Sequence, residues 1–293
     1  MNTPPPFFNQ DSSETSPKAP SLLGLSGGVP AELADGYSRL CGMISGFGGA
    51  VTAFSGGVDS TLVAFLAHRL LDGRALAVTS GSASLPRREL AQAEALAQGL
   101  GLAHRVIQTG EMNLPAYREN SADRCYHCKT TLYADLASLA VREGYAVVLS
   151  GTHVGDLADH RPGLQAAKKY GVRSPLAECG LDKTQVRLLA QTLGLPNAHK
   201  PQAACLASRL PFGRGVSPQG LAQVEQAEEA LLALGFTQVR VRHHGPVARV
   251  EIPLEQLALA LAVREQLVAG VKQAGFGFVA LDLDGFRSGS LNP

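Results

Sequence analysis

Short apolar runs alternate with longer amphipathic ones through the first two thirds of the chain. The period predicts a helix from Ala31 to Phe47, then a strand, Val51-Thr52-Ala53-Phe54. An apolar helical run opens at Thr61 and reaches about Leu71. Ala75 to Thr79 reads as a second strand, Pro86 to Leu100 as an amphipathic helix, and His104 to Ile107 as a third strand. Lys129 to Glu143 reads as a helix, and Ala146 to Ser150 as a buried strand. Asp182 to Leu193 reads as another helix, with Lys183 and Arg187 on its outer face. Strands alternating with helices predict an α/β fold built on a doubly wound parallel sheet. Ligands in such sheets bind at the carboxyl ends of the strands, where Ser55 and Gly151 fall. Past Gly215 the pattern changes. A helix from Pro218 to Leu234 is followed by strands at Gln238–His243 and Val247–Ile252, a helix at Leu254–Ala274 and a strand at Gly277–Leu283. This αββαβ order predicts a small C-terminal α+β domain. The expected division is a Pro/Ser-rich disordered tail over 1–30, an α/β domain over 31–199, a Cys-bearing linker over 200–217 and the α+β domain over 218–293.

Composition narrows the function classes. The chain has 293 residues, enough for two domains, and a net charge of +1 from 26 basic and 25 acidic residues. That balance gives no basic field for a long nucleic acid, though it leaves room for a local patch. The apolar runs fall short of a membrane span, and the N-terminus lacks the pattern of a secretory signal. Five cysteines favour metal or catalytic use over disulfides. The expected setting is the cytoplasm, the expected assembly a homo-oligomer, and no membrane partner is expected.

The chemistry begins at Ser55-Gly56-Gly57-Val58-Asp59-Ser60. A strand, a small-residue turn and a helix start bring free backbone N–H groups and the positive helix end to one point, which suits a phosphate. Gly56 and Gly57 permit close approach and unusual backbone angles. Ser55 and Ser60 add hydroxyls. Asp59 beside a phosphate implies an intervening divalent cation. The turn has no Lys and is not a Walker loop. A Gly-rich turn that merely caps a helix is the plain alternative.

Cys125-Tyr126-His127-Cys128 is a C-x-x-C pair without the second half of an ordinary zinc site. It also follows a polar loop rather than a first strand, unlike a thioredoxin pair. Cys205 lies in a Pro-bounded loop, with Lys200, Arg209 and Arg214 nearby to favour a thiolate. Three thiolates, Cys125, Cys128 and Cys205, are enough for an iron–sulfur cluster with one open iron. Cys41 and Cys179 read as structural. Gly151 would admit a nucleotide, and Asp156 and Asp159 would hold magnesium or orient a substrate; a solvated turn is the alternative. Arg240 and Arg242, two apart on a strand, share a face. Paired guanidiniums suit a phosphate, but a solvated sheet face has the same pattern. Glu228 and Glu229 read as wet surface. Arg287 and Ser290 in the tail are phosphate-type donors.

These segments together carry a resemblance. SGGVDS, RCYHCK, GTHVGDLADHRPG, SPLAECGLDKTQVR, KPQAACLASRLPFG and DLDGFRSGS occur in this order. Over residues 31–293 the chain resembles the LarE-type pyridinium-3,5-biscarboxylic acid mononucleotide sulfur transferases of the ATP pyrophosphatase (PP-loop) superfamily. The resemblance implies an adenine nucleotide alpha hydrolase-like fold and an ATP- and magnesium-dependent enzyme of nickel-pincer nucleotide synthesis. It would adenylate a substrate carboxylate, releasing pyrophosphate, and then replace an oxygen by sulfur to give a thiocarboxylate. Ser55, Gly56, Gly57, Asp59 and Ser60 would hold the pyrophosphate with magnesium, Gly151 and Asp156 would contact the nucleotide, and Ser208, Arg209, Arg240 and Arg242 would seat the phosphate of a pyridinium mononucleotide near Cys205. Two sulfur sources occur among such proteins. Either Cys205 gives up its own sulfur and becomes dehydroalanine, or Cys125, Cys128 and Cys205 hold a 4Fe-4S cluster that relays sulfide. The presence of all three cysteines favours the cluster. His153 and Gly155 depart from the family's GTNxDDxxDxRPG pattern, which puts one contact in question. Amide-forming synthetases of NAD or GMP and tRNA thiolases share the loop and are rival readings, as is a non-enzymatic nucleotide-binding module, which detectable pyrophosphate release would exclude.

Overall fold

The computed structural model describes residues 28–157 and 162–287. Most of the 1–30 tail, and Asp159, Arg161 and Ser290, lie outside the described residues. In chain order the elements are α1 (Ala31–Ser45), β1 (Ala50–Ala53), α2 (Val58–Leu70), β2 (Ala75–Ser80), α3 (Arg87–Gly99), β3 (His104–Ile107), α4 (Pro115–Arg118), α5 (Arg124–Glu143), β4 (Val147–Leu149), α6 (Val154–Leu157), α7 (Pro162–Lys169), α8 (Pro175–Glu178), α9 (Lys183–Thr192), α10 (Pro218–Ala233), β5 (Arg240–His244), β6 (Val247–Glu251), α11 (Leu257–Ala262), α12 (Arg264–Gln273) and β7 (Phe278–Leu281). They form two compact units. The first comprises residues 28–81, Arg87–Thr109 and the described part of Cys125–Ala203; the second comprises Ser82–Pro86, Gly110–Arg124 and residues 204–287.

The first unit is built on a four-stranded parallel sheet of order β3-β2-β1-β4, the α/β architecture expected from the strand–helix alternation. Successive strand residues point to opposite faces. Ala50, Val147 and Leu149 pack against Leu40 and Ile44 of α1, Leu62 and Leu66 of α2, and Leu189 of α9. Val51, Leu76, Val78 and Val148 pack against Leu132, Leu136 and Leu139 of α5 and Ala166 of α7. Helix α2 is buried around most of its circumference, with Val58, Leu62, Val63, Leu66 and Leu70 all inside, as an apolar central helix should be. The chain runs from β1 outward to β3 and then returns to the far side of β1 as β4. The reversal between β1 and β4 is the topological switch point, where a ligand crevice opens beyond the carboxyl ends of the strands.

The second unit carries a three-stranded sheet of order β5-β6-β7, with β5 and β6 antiparallel and β6 and β7 parallel. Helices α10 and α12 supply its core, through Leu221, Val224 and Leu231 of the one and Leu267 and Val271 of the other. Two detached segments join it. Leu206 N–H donates to the Ser84 carbonyl and Val216 N–H to the Arg118 carbonyl. The structure corrects two element expectations. Helix α5 starts at Arg124, so Cys125 and Cys128 stand on the helix itself rather than before it. The single helix expected over Leu254–Ala274 breaks at Val263, whose backbone (φ −105°, ψ 23°) leaves the helical region between α11 and α12.

Candidate functional site

The loop after β1 is tightly tied. Ser60 Oγ accepts from Ser55 N–H (3.2 Å) and donates to the Gly57 carbonyl (3.1 Å), and Thr61 Oγ1 donates to the same carbonyl (2.8 Å). Gly56 adopts φ +68°, and a Cβ there would lie 3.0 Å from that of Ala93 in α3. Only glycine meets both conditions. Gly57 caps α2 without a side chain, so the first N–H groups of the helix receive no side-chain cap, the arrangement that binds anions. Gly151, just past β4, lies against this turn. A Cβ on it would be 2.6 Å from Ser60 N and 2.8 Å from the Asp59 carbonyl carbon. The β1 loop and the β4 loop therefore meet at the switch point.

Asp59 is not isolated. Lys183 Nζ donates to both its oxygens, at 2.8 and 2.6 Å. Lys183 was expected on an outer face. Instead Asp182 caps α9 through a capping box with Gln185, which makes Lys183 the first helical residue and sends its side chain back to the loop. Asn197 is a second residue that sequence reasoning missed. It is buried, and its Nδ2 donates to the Gly56 carbonyl (3.0 Å) and to Thr61 Oγ1 (2.9 Å). A capping-box Asp three residues before a Gln, with a Lys between them, was the available signal for Lys183. For Asn197, which lies 141 residues from Gly56, the sequence carries none. Lys200 donates to Glu89 Oε2 at 2.7 Å.

The two pattern departures are sterically linked. His153 N–H donates to Asp156 Oδ2 (3.1 Å), and its ring Nε2 lies 3.6 Å from the same oxygen. A Cβ on residue 155 would stand 3.1 Å from His153 Cε1 and 3.2 Å from Nδ1. Gly155 thus makes room for the imidazole beside Asp156.

None of the five cysteines is in a disulfide; Cys125 and Cys205 are exposed, whereas Cys41 and Cys179 are buried. Burial pushes the thiols of Cys41 and Cys179 up, which keeps them protonated and suits a structural role. Cys125 and Cys128 are three residues apart at the start of α5 and share a face. Among the described residues, no group of three or more His, Cys, Asp or Glu stands together as a metal cage.

In the second unit Cys205 precedes a 3-10 turn, Leu206–Arg209. Its carbonyl accepts from Ser208 Oγ (2.7 Å) and Arg209 Nη1 (3.0 Å). Arg209 forms a two-point pair with Glu228, 2.9 Å at each contact. Glu228 also accepts from Val241 N–H (3.0 Å); it is buried, not the wet surface expected. Arg242 is 2 % exposed. It forms a second two-point pair with Glu251 at 2.9 Å, and its Nη1 donates to the Ser208 carbonyl, also at 2.9 Å. Arg240 differs. It has no carboxylate partner among the described residues and lies over the Phe286 ring, 4.9 Å from the centroid. Burial, reinforced by the charges of Arg209 and Arg242, pushes its pKa down to about 10. The structure thus separates Arg240 and Arg242, which strand periodicity treats alike: Arg242, with Arg209, braces the Cys205 loop through buried ion pairs, and Arg240 has no carboxylate partner among the described residues.

Comparison with known proteins fits this geometry. The family model described as asparagine synthase matches residues 49–157, the stretch that holds the β1 loop. The Synechocystis protein slr1717 is 46% identical over 245 residues, 83% of this chain and 91% of its own length. The pyridinium-3,5-bisthiocarboxylic acid mononucleotide synthase of Lactiplantibacillus plantarum is 37% identical over 264 residues, 89% of this chain and 95% of its own. MJ0830 of Methanocaldococcus jannaschii is 28% identical over 238 residues, 81% of this chain and 90% of its own.

Proposed function

Because this chain belongs to the LarE family, that of the Lactiplantibacillus plantarum pyridinium-3,5-bisthiocarboxylic acid mononucleotide synthase, we propose that it converts the carboxylates of a pyridinium-3,5-biscarboxylic acid mononucleotide to thiocarboxylates in nickel-pincer nucleotide synthesis. It is an ATP-dependent sulfur transferase of the PP-loop superfamily. ATP would place its pyrophosphate against Ser55, Gly56, Gly57 and Ser60, where uncapped N–H groups and hydroxyls converge. Gly151 leaves space at the same turn. The substrate carboxylate would attack the α-phosphate, and AMP would then be the leaving group when sulfur arrives. Ser208, Arg209, Arg240 and Arg242 form the substrate-phosphate region, and Arg240 supplies its charge.

Carboxylates and thiolates are the donor types the implied metals take, although among the described residues they do not stand together as a cage. Asp59 already holds a cation, the Lys183 ammonium, and Asp59 and Asp156 would hold magnesium, which offsets charge on bridging phosphates. Cys125, Cys128 and Cys205 would hold a 4Fe-4S cluster, which would supply sulfide at an open iron. The single observation that carries the reading is Cys205: an exposed thiol on a loop braced by buried Arg–Glu pairs. Solvation is unnecessary for a merely structural cysteine, as Cys41 and Cys179 illustrate.

The sulfur source is tested by intact-mass spectrometry of anaerobically prepared protein before and after turnover. With the cluster, the protein is brown, carries about four irons, keeps its polypeptide mass and turns over repeatedly with sulfide. Cys125→Ala, Cys128→Ala and Cys205→Ala each lose the iron. A colourless protein that loses the elements of hydrogen sulfide at Cys205 after one turnover, and stays active in Cys125→Ala, contradicts the cluster and makes Cys205 the donor. The nearly neutral net charge gives weak support for a small-molecule substrate over tRNA; the cytoplasm is the setting consistent with this chemistry. Among the described residues, no helix is long and apolar enough to cross a membrane.

A further inference from the structure

Arg124 is 7 % exposed. A guanidinium so buried normally has a carboxylate partner, yet no ion pair to Arg124 exists among the described residues. Its neutral contacts all use one nitrogen. Nη1 donates to Asn120 Oδ1 and to the Ala207 carbonyl at 2.8 Å. Asn120 is itself fully buried, and its Nδ2 donates to the carbonyls of Pro211 (2.8 Å) and Arg214 (2.9 Å). The face of the guanidinium lies 5.9 Å from the Phe212 ring centroid. Arg124 is therefore held in one orientation by the loop that follows Cys205. Glu111, the other buried ionisable group of this segment, makes no hydrogen bond through either carboxylate oxygen, so it does not pair with Arg124.

Nη1 carries two hydrogens, and its two acceptors use both. The remaining donors, Nε–H and Nη2–H, lie along the edge of the guanidinium that takes a carboxylate in two parallel hydrogen bonds. That edge makes no hydrogen bond among the described residues. The local field is positive as well. Arg124 opens the 20-residue helix α5, whose first turn has no acidic side chain, so the cation sits at the positive end of the helix dipole. An oriented guanidinium edge with no hydrogen-bond partner among the described residues is ready to take a carboxylate in two parallel bonds.

We propose that Arg124 is a substrate-binding residue whose Nε/Nη2 edge takes a carboxylate of the pyridinium dicarboxylate. The assignment rests on the proposed function and adds to it the residue that reads a carboxylate. Arg240 and Arg124 then divide the substrate, one cation for the phosphate and one for a carboxylate. No bond changes at Arg124.

The test is calorimetry at fixed ionic strength with two ligands that share ring, ribose and phosphate: pyridinium-3,5-biscarboxylic acid mononucleotide and nicotinamide mononucleotide, which has no carboxylate. Wild-type protein binds the dicarboxylate more tightly. In Arg124→Gln the preference falls about ten- to a hundredfold, the range expected for a lost charge-assisted contact, while affinity for nicotinamide mononucleotide is unchanged. Arg124→Lys, which keeps the charge and loses the fork, gives the same direction and serves if the Gln variant does not melt cooperatively. Retention of the full preference in both variants overturns the proposal. Equal weakening of both ligands also overturns it and leaves Arg124 as a brace alone. Wild-type protein that binds neither ligand overturns the proposed function itself.

Discussion

Asp59→Asn and Lys183→Met each lower ATP-dependent pyrophosphate release by about a hundred- to a thousandfold, the loss typical when one preorganised electrostatic group at a transition state is removed. The two side chains form one unit: both carboxylate oxygens face a single ammonium. The pair is partly solvated, with side chains 33 % and 24 % exposed, so its loss changes stability by less than about 1 kcal/mol. Activity should therefore collapse while the melting curve barely moves. Lys183→Arg, which keeps the charge, retains part of the activity. Pyrophosphate release measured beside thermal unfolding checks the result. Normal turnover in Asp59→Asn would remove the carboxylate from the nucleotide site, and loss of folding in either variant would make the pair structural.

Arg242→Ala and Arg240→Gln, two residues apart on one strand, have opposite outcomes. Removing Arg242 leaves Glu251 buried without its two-point partner. Breaking such a pair costs about 3–5 kcal/mol, and the contact from Arg249 at 3.1 Å holds the loss toward the lower end. Arg240→Gln breaks no ion pair among the described residues. The fold pulls the pKa of Arg240 down to about 10, so it disfavours the protonated form. The resulting cost is fully present at neutral pH and fades as the pH rises above about 10 toward the unfolded value. Replacing Arg240 by neutral Gln leaves stability at pH 7 equal or higher, and weakens binding of a phosphate-bearing mononucleotide about tenfold or more while ATP binding is unchanged. Denaturant titration and calorimetry separate the two. A stable Arg242→Ala, or unchanged mononucleotide affinity in Arg240→Gln, would contradict this division of labour.

Local chemistry was legible in the sequence because it is encoded locally. The strand, glycine turn and helix around Ser55–Ser60 are contiguous, and each residue type has a reason at its position. The parallel sheet followed from alternation, and the switch point at β1 and β4 follows once the strand order is known. What sequence reading missed depends on remote partners. Strand periodicity puts Arg240 and Arg242 on one face, but it cannot show that Glu251, diagonal to Arg242 across the β5–β6 ladder, claims one of them. Glu228 has the charge of a surface residue and becomes buried because Arg209 and Val241 N–H satisfy it. The start of α5 is not legible in the sequence because Arg124 to Cys128 carries no apolar stripe at helical spacing. Nor does composition mark Ser82–Pro86 and Gly110–Arg124 as parts of the second unit.

The most direct test of the account is the product itself. Anaerobically prepared protein is incubated with ATP, magnesium, sulfide and pyridinium-3,5-biscarboxylic acid mononucleotide, and the small molecules are resolved by mass spectrometry. The account predicts a product in which sulfur replaces a carboxylate oxygen, with AMP and pyrophosphate formed in equal amounts, and no such product from Cys205→Ala. Formation of AMP and pyrophosphate with ammonia incorporated as an amide, and with full activity in Cys205→Ala, would contradict it.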